Sequence, residues 1–355
     1  MTADKSEYLQ ANKKKVLWMV ILCIIIALIT TYSICVTQHY ISFHKALEIV
    51  WNHLHGDVPD TYIDWLEDKI VCDSLIPRAI GGVAVGAILG VCGTMMQSTI
   101  RNPLADPYTT GISSGALLGV TLFTIFGFTV IPVGDSDLGL ITTAFAFALI
   151  PCAIILLLST FKTITPTTMV LIGIAVMYAF NATSTLLRYT ASDEDVATIY
   201  AWSVGLLGKL TWDSAAILTV VLIAIFAIGL IYSKTINVLS ADDKLCGSLG
   251  VNPQKTRILF MILVAIATAT AVCFVGTIGF VGLVAPHIAR IFVGSDNRYL
   301  IPASALIGGI ILIAADTYAR VATATGLPVG VITSLIGGPL FLIILLRQKK
   351  SAWGS

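Results

Sequence analysis

Charge is what this 355-residue chain has least of. Only 12% of its residues are Asp, Glu, Lys or Arg, about half the share usual in soluble domains. That excludes an ordinary water-soluble globular protein. None of the seven cysteines forms a Cys-x-x-Cys pair, so a redox or structural zinc motif is not expected. No Gly-x-x-x-x-Gly-Lys-[Ser/Thr] loop occurs; the nearest fragment, Gly205 to Lys209, lacks the first glycine and has Leu210 after the lysine. The chain is therefore not expected to hydrolyse nucleotide itself. The apolar segments hold no His/Asp/Glu cluster at metal-ligand spacing. No metal ligand is assigned, and nothing points to nucleic acid.

What the chain has instead is apolar length. Hydrophobic residues make up 57% of it, and the mean hydropathy is +0.91. Ten segments are predicted to span a membrane: 16–36, 75–98, 110–132, 138–160, 167–189, 212–233, 257–275, 278–293, 300–320 and 328–346. Runs of roughly 20 apolar residues match the hydrocarbon core of a bilayer. The predicted class is an all-α polytopic membrane protein. It comprises a cytoplasmic tail at 1–15, a transmembrane domain at 16–346 and a second cytoplasmic tail at 347–355.

Basic residues orient the segments. With the N-terminus inside and spans alternating, 15 of the 21 Lys and Arg fall on the cytoplasmic side. The other six are Lys45, Lys69, Arg78, Arg188, Lys209 and Arg320. This bias favours an even number of spans with both termini inside. Lys13, Lys14 and Lys15 before the first run resemble the charged start of a signal peptide. The run is long enough to span, so it reads as a retained helix in the cell membrane.

Two polar segments interrupt the pattern. The outer segment 37–74 is rich in His and acidic residues, and its Trp51, Tyr62 and Trp65 suit a membrane surface. Its His44, His53 and His55 are metal-capable, but two His two apart with no clear third ligand are poor evidence for a site. The inner segment 234–256 carries a Leu-Cys-Gly-Ser-Leu-Gly-Val core at 245–251. Gly82, Gly86 and Gly90 recur every four residues, as do Gly111, Gly115 and Gly119. Such stripes let helix backbones approach closely in lipid. They serve either fixed packing or a moving interface.

Five motifs occur in order. Ile76-Pro77-Arg78 leads into a glycine-rich helix ending Met95-Met96-Gln97. Arg101-Asn102-Pro103-Leu104-Ala105-Asp106-Pro107 follows, and then Trp202-Ser203-Val204-Gly205-Leu206-Leu207-Gly208. Leu249-Gly250-Val251 lies in the inner segment. The fifth motif runs Gly276 to Arg290, with Gly279, Gly282, Pro286 and His287, and extends to Ala315-Asp316-Thr317-Tyr318-Ala319-Arg320 and Leu327 to Gly330. Together they resemble the FecCD-type permeases of ABC importers for ferric siderophores, heme and cobalamin.

That resemblance implies one of two permease subunits, most simply a homodimer, with cargo passing along the subunit interface. It implies an extracytoplasmic substrate-binding protein and two cytoplasmic ATPase subunits that hold the ATP and Mg. Arg78 and Arg320 match positions where arginine pairs with carboxylates of the binding protein, which the planar guanidinium fork suits. The alternative is a snorkelling arginine, or pairing with Asp73 and Asp316. Leu245, Gly247, Ser248, Leu249, Gly250 and Val251 match the loop that couples to the ATPase. Asn181, Thr183, Ser184 and Arg188 are expected to line the pathway, with helix–helix hydrogen bonding as the competing role. Asn102, Pro103, Gly279, Gly282, Pro286 and His287 are read as structural. Ferric siderophore leads among cargoes, then heme and cobalamin. An ion-coupled secondary transporter is the distant alternative. It needs intramembrane carboxylates, for which Asp316 is the one clear candidate.

Overall fold

The computed structural model describes residues 2–36, 41–56, 61–132, 136–161 and 165–347. Of the outer segment, His39, Asp57 and Asp60 lie outside the described residues. So do Lys162 and residues 348–355 of the predicted C-terminal tail. No strand occurs among the described residues. Fifteen α-helices follow in chain order: α1 (Thr2–Cys35), α2 (Phe43–His55), α3 (Tyr62–Asp68), α4 (Ile76–Ile100), α5 (Ile112–Phe126), α6 (Ser136–Phe161), α7 (Pro166–Tyr189), α8 (Asp193–Ser203), α9 (Trp212–Ile231), α10 (Ser233–Ala241), α11 (Asp243–Ser248), α12 (Pro253–Val275), α13 (Val281–Val293), α14 (Asn297–Val321) and α15 (Val329–Arg347).

Each of the ten predicted spans coincides with one of these helices. Seven are long and apolar enough to cross a membrane, while α5, α13 and the apolar part of α15 are shorter. The segment before the first span is helical from Thr2 and continues into that span. Two sequence expectations need correction. The third span stops at Phe126, not 132, because Gly127 turns left-handed at φ +63° and caps α5. The outer segment is mostly helix, not loop: α3 runs through a π-helical turn at Lys69–Leu75 directly into α4.

Helix α4 is the buried centre of the bundle. It packs against α14, α9, α13 and α12. Its glycine stripe explains how closely. A Cβ on Gly86 would stand 2.3 Å from the Gly308 carbonyl oxygen, and one on Gly90 would stand 2.1 Å from that of Ser304. No real side chain fits there, so α4 and α14 touch backbone to backbone. Helix α5 meets α6 in the same way: a Cβ on Gly115 would stand 2.4 Å from the Phe147 carbonyl oxygen. In lipid, this close van der Waals packing supplies much of the association energy that hydrophobicity supplies in water. Helices α1 and α7 lie on the outside of the bundle and are largely exposed.

Candidate functional site

The two ends of α4 carry the charged clusters. Its 25 residues separate them by about 36 Å at 1.5 Å per residue, a little more than a bilayer core. At the N-terminal end, Arg78 forks Asp316 of α14. Arg78 Nε donates to Asp316 Oδ2 at 3.1 Å and its Nη2 to Oδ1 at 2.8 Å. Arg320, one helical turn after Asp316, places Nε 3.2 Å from Oδ2 without a hydrogen bond closing, and its Nη1 has no partner. Its Nη2 donates to Ser33 of α1. Asp316 is fully buried.

Arg78, Arg320 and Lys209 all line a cavity of 560 Å³, together with Leu206, Gly208 and Leu327. Three cations thus share one mouth, and the carboxylate that two of them approach is buried behind it. The pairing with Asp316 was the alternative that the sequence left open. It coexists with partial exposure of Arg78, whose side chain is 20% accessible.

At the opposite end, Asp243 opens α11. Arg101 at the C-cap of α4 donates to its Oδ1 at 2.9 Å. Arg257 of α12 donates to both of its oxygens, Nη1 reaching Oδ2 at 3.0 Å, and anchors itself on the Thr99 carbonyl at 3.0 Å. The Arg257 hydrogen bond, chiefly, holds the Asp243 carboxyl below its usual range. Helix α11 is therefore pinned to α4 and α12, while Leu245 and Leu249 remain 44% and 58% exposed. Val251 is partly buried and packs on the core. Gly247 and Gly250 have open space around them, and Gly250 turns the chain at φ +75°. Ser248 closes the turn by donating to the Leu245 carbonyl.

Nearby, Asp296 caps α14. Its partial burial is outweighed by hydrogen bonds from Arg298 and Asn237, which pull the carboxyl down to about 2.

The motifs that are dispersed in sequence meet in space. His287 Nε2 donates to the Pro103 carbonyl at 2.9 Å. The Asn102 side chain accepts from Leu104 N and shapes that turn. Gly282 faces Gly93 of α4, where a Cβ on Gly93 would stand 1.8 Å from the Gly282 oxygen. Pro286 is buried within α13. Leu206 N donates to the Val275 carbonyl at 2.8 Å, and Thr277 donates to Ser203 O.

Between these segments lies a second cavity, of 660 Å³, lined by Tyr108, Ser113, Ser203, Thr277, Gly279 and Ser334 among others. The sequence reading missed its hydroxyls. They come from five separate segments, and no spacing rule links them.

Helix α7 divides the four residues assigned to a pathway. At 100° per residue, Asn181, Ser184 and Arg188 share one face, and Thr183 lies about 200° round from Asn181. Asn181 and Thr183 are exposed, and Ser184 is buried with its hydroxyl unpartnered. Thr183 satisfies its hydroxyl on the Ala179 carbonyl. Arg188 bonds Ser184 O and Thr185 Oγ1 of its own helix.

This architecture is that of a multi-pass helical membrane permease, and comparison with known proteins supports it. Residues 21–347 match the FecCD transport family. The hemin transport system permease protein HmuU of Yersinia pestis is 38% identical over 280 residues, which is 79% of this chain and 84% of that protein. The cobalamin import system permease protein BtuC of Halobacterium salinarum is 42% identical over 302 residues, 84% of this chain and 78% of that protein. A metal-chelate type ABC transporter, solved in an inward-facing conformation, superposes with a TM-score of 0.80 at 28% identity, covering 93% of this chain and 99% of that one. The chain belongs to the FecCD transport family, a class of membrane permease components of ABC importers.

Proposed function

We propose that the chain is the pore-forming subunit of an ATP-driven importer for a metal chelate, with ferric siderophore as the first candidate cargo. The observation that carries this reading is the division of α4. A cationic mouth with Arg78, Arg320 and Lys209 lies at one end. A pinned helix offering Leu245 and Leu249 lies at the other.

The cationic mouth suits docking of a substrate-binding protein through carboxylates. Arg78 and Arg320 hold each other's positions through Asp316, so the surface is preorganised. The opposite helix suits a groove on the ATPase, with Leu245 and Leu249 as apolar anchors and Asp243 fixing their direction. Closure of the ATPase dimer on ATP would push α11. Because α11 is tied to Arg101 at the end of α4 and to Arg257 of α12, that push reaches the helices at the centre of the bundle. Asn181 and Arg188, on one side of α7 with the buried Ser184 between them, give a polar stripe for the pathway, next to a second permease subunit. Thr183 is exposed on another face of the same helix and belongs to the same proposed set.

The hemin and cobalamin of the two named relatives are both metal chelates, which supports the chelate class for this chain. The test is reconstitution in liposomes with the cognate ATPase and binding protein, offering ferric siderophore, heme and cobalamin in turn. Uptake of one of them, dependent on ATP and on the binding protein, supports the reading. Absence of any complex with the ATPase overturns it.

A further inference from the structure

Beyond the transport machinery, one group of side chains at the Arg78 end has a chemistry that docking does not use. His53 lies in the last turn of α2, Asp68 ends α3, and Cys72 lies in the π-helical turn between α3 and α4. One ligand atom from each, an imidazole nitrogen, a carboxylate oxygen and a thiol sulfur, all fall within 4.8 Å of one another. We propose that His53, Asp68 and Cys72 form a divalent-metal site, with Zn²⁺ as the ion that fits, holding three protein ligands and leaving the fourth position open.

The donor set argues the metal. A thiolate, an imidazole and a carboxylate are the three ligand types that Zn²⁺ takes, usually four in a tetrahedron. Mg²⁺ and Ca²⁺ require sets built from oxygen alone. For His53 and Asp68 the distances argue that little must move, and the Cys72 sulfur lies within 4.8 Å of both. His53 Nδ1 stands 2.9 Å from Asp68 Oδ1. A zinc bound to both at roughly 2.0–2.1 Å in tetrahedral geometry separates the two atoms by about 3.3 Å. An opening of about 0.4 Å therefore turns a proton-bridged pair into a metal-bridged one. On binding, the ion takes the place of the proton on Nδ1, the neutral ring then carrying its single proton on Nε2, and the Cys72 thiol proton is released to solvent.

The backbones that carry the ligands are fixed. The left-handed Gly56 caps α2 by donating to the carbonyls of Asn52 and His53. Lys45 pairs with Asp64 and Glu67 and ties α2 to α3. Asp68 and Cys72 are four residues apart, one above the other on the same helical face. The Trp212 indole N–H donates to the Cys72 carbonyl at 3.0 Å and anchors that turn on α9. Helices with an inserted π turn often hold functional side chains. Entry is open from the His53 side, since that side chain is 46% exposed while Asp68 is 17% exposed. A purely packing role accounts for a buried thiol, but not for an imidazole and a carboxylate brought to it from 19 and 4 residues away.

The site would clamp α2 to the root of α4, beside the cationic mouth. The test uses the tag-free full-length permease in detergent, titrated with Co²⁺ as a spectroscopic probe and then with Zn²⁺. The expected result is one Co²⁺ per chain with a thiolate-to-cobalt charge-transfer band that Zn²⁺ displaces. Cys72→Ser should remove that band, and Cys35→Ser should leave it. His53→Gln and Asp68→Asn should each weaken Zn²⁺ binding at least tenfold. His53 is exposed enough for its variant to fold, so the test survives if Cys72→Ser does not. Absence of a thiolate band in the unmodified chain, its survival in Cys72→Ser, or its loss in Cys35→Ser would each overturn the site.

Discussion

Arg78 and Asp316, 238 positions apart, are joined by a guanidinium–carboxylate fork with its shortest bond at 2.8 Å. The carboxylate is buried completely, so its charge depends on Arg78 and Arg320 for compensation. Removing one partner of such a pair costs on the order of 3 kcal/mol, because the remaining charge stays in a poor solvent. Arg78→Gln should therefore lower the apparent unfolding temperature in detergent, and Asp316→Asn added to it should restore part of the loss. Strict additivity of the two changes would show that the fork is energetically idle.

The same fork bears on docking. Arg78→Glu with Arg320→Glu reverses the sign of the mouth and should weaken binding-protein association at least tenfold. Lys209→Glu, on the same cavity but outside the fork, should reproduce part of that loss without the stability cost. Surface plasmon resonance with the binding protein measures both. Unchanged affinity in Lys209→Glu would point away from a cationic docking surface.

Packing along α4 yields a sharper stability prediction. Gly90→Ala places a methyl group 2.1 Å from the Ser304 carbonyl, so α4 and α14 must part. Overpacking of this kind costs about 1–3 kcal/mol, and the variant should elute as aggregate or unfold earlier. Gly247→Ala meets nothing within 4 Å and should behave like the parent in the same gel-filtration and melting assays.

At the other end of α4, pH provides a test. Asp243 and Asp296 both have folded-state values below the usual carboxylate range, Asp296 near 2. Groups lowered in this way stabilise the fold above their unfolded value of about 3.9, and lose that contribution as pH falls through the folded value. Stability of the α11 region should thus stay level from pH 7 to 5 and fall between about 4 and 2. Hydrogen exchange over residues 237–257 reads this directly. Asp243→Asn should remove much of the acid dependence and increase exchange already at pH 7.

Much of the bundle was legible because membrane helices announce themselves by length and apolarity. The ends of α4, α7, α9 and α12 fall within a few residues of expectation. What hid was whatever depends on contacts across the chain. The outer segment is polar enough to read as loop, yet α2 and α3 form there because Ser42 and Thr61 cap them and Ala46 and Ile49 find a small core. Asp316 sits far from Arg78 in sequence, so their fork stood only as an alternative. The hydroxyls of Tyr108, Ser203 and Ser334 look unremarkable one by one. Thr183 and Asn181 are two apart in sequence, and helical rotation sets them about 200° apart on α7.

Coupling to an ATPase is the central claim, and the exposed side chains of α11 test it most directly. The measurement is ATP-driven uptake in liposomes containing the permease, its ATPase and the binding protein, comparing the parent chain with Leu245→Asp/Leu249→Asp. Both leucines are exposed, so the variant should fold normally yet lose ATPase association and at least nine-tenths of uptake. Full uptake by that variant, or uptake by the parent that needs an ion gradient and no ATP, would contradict the account.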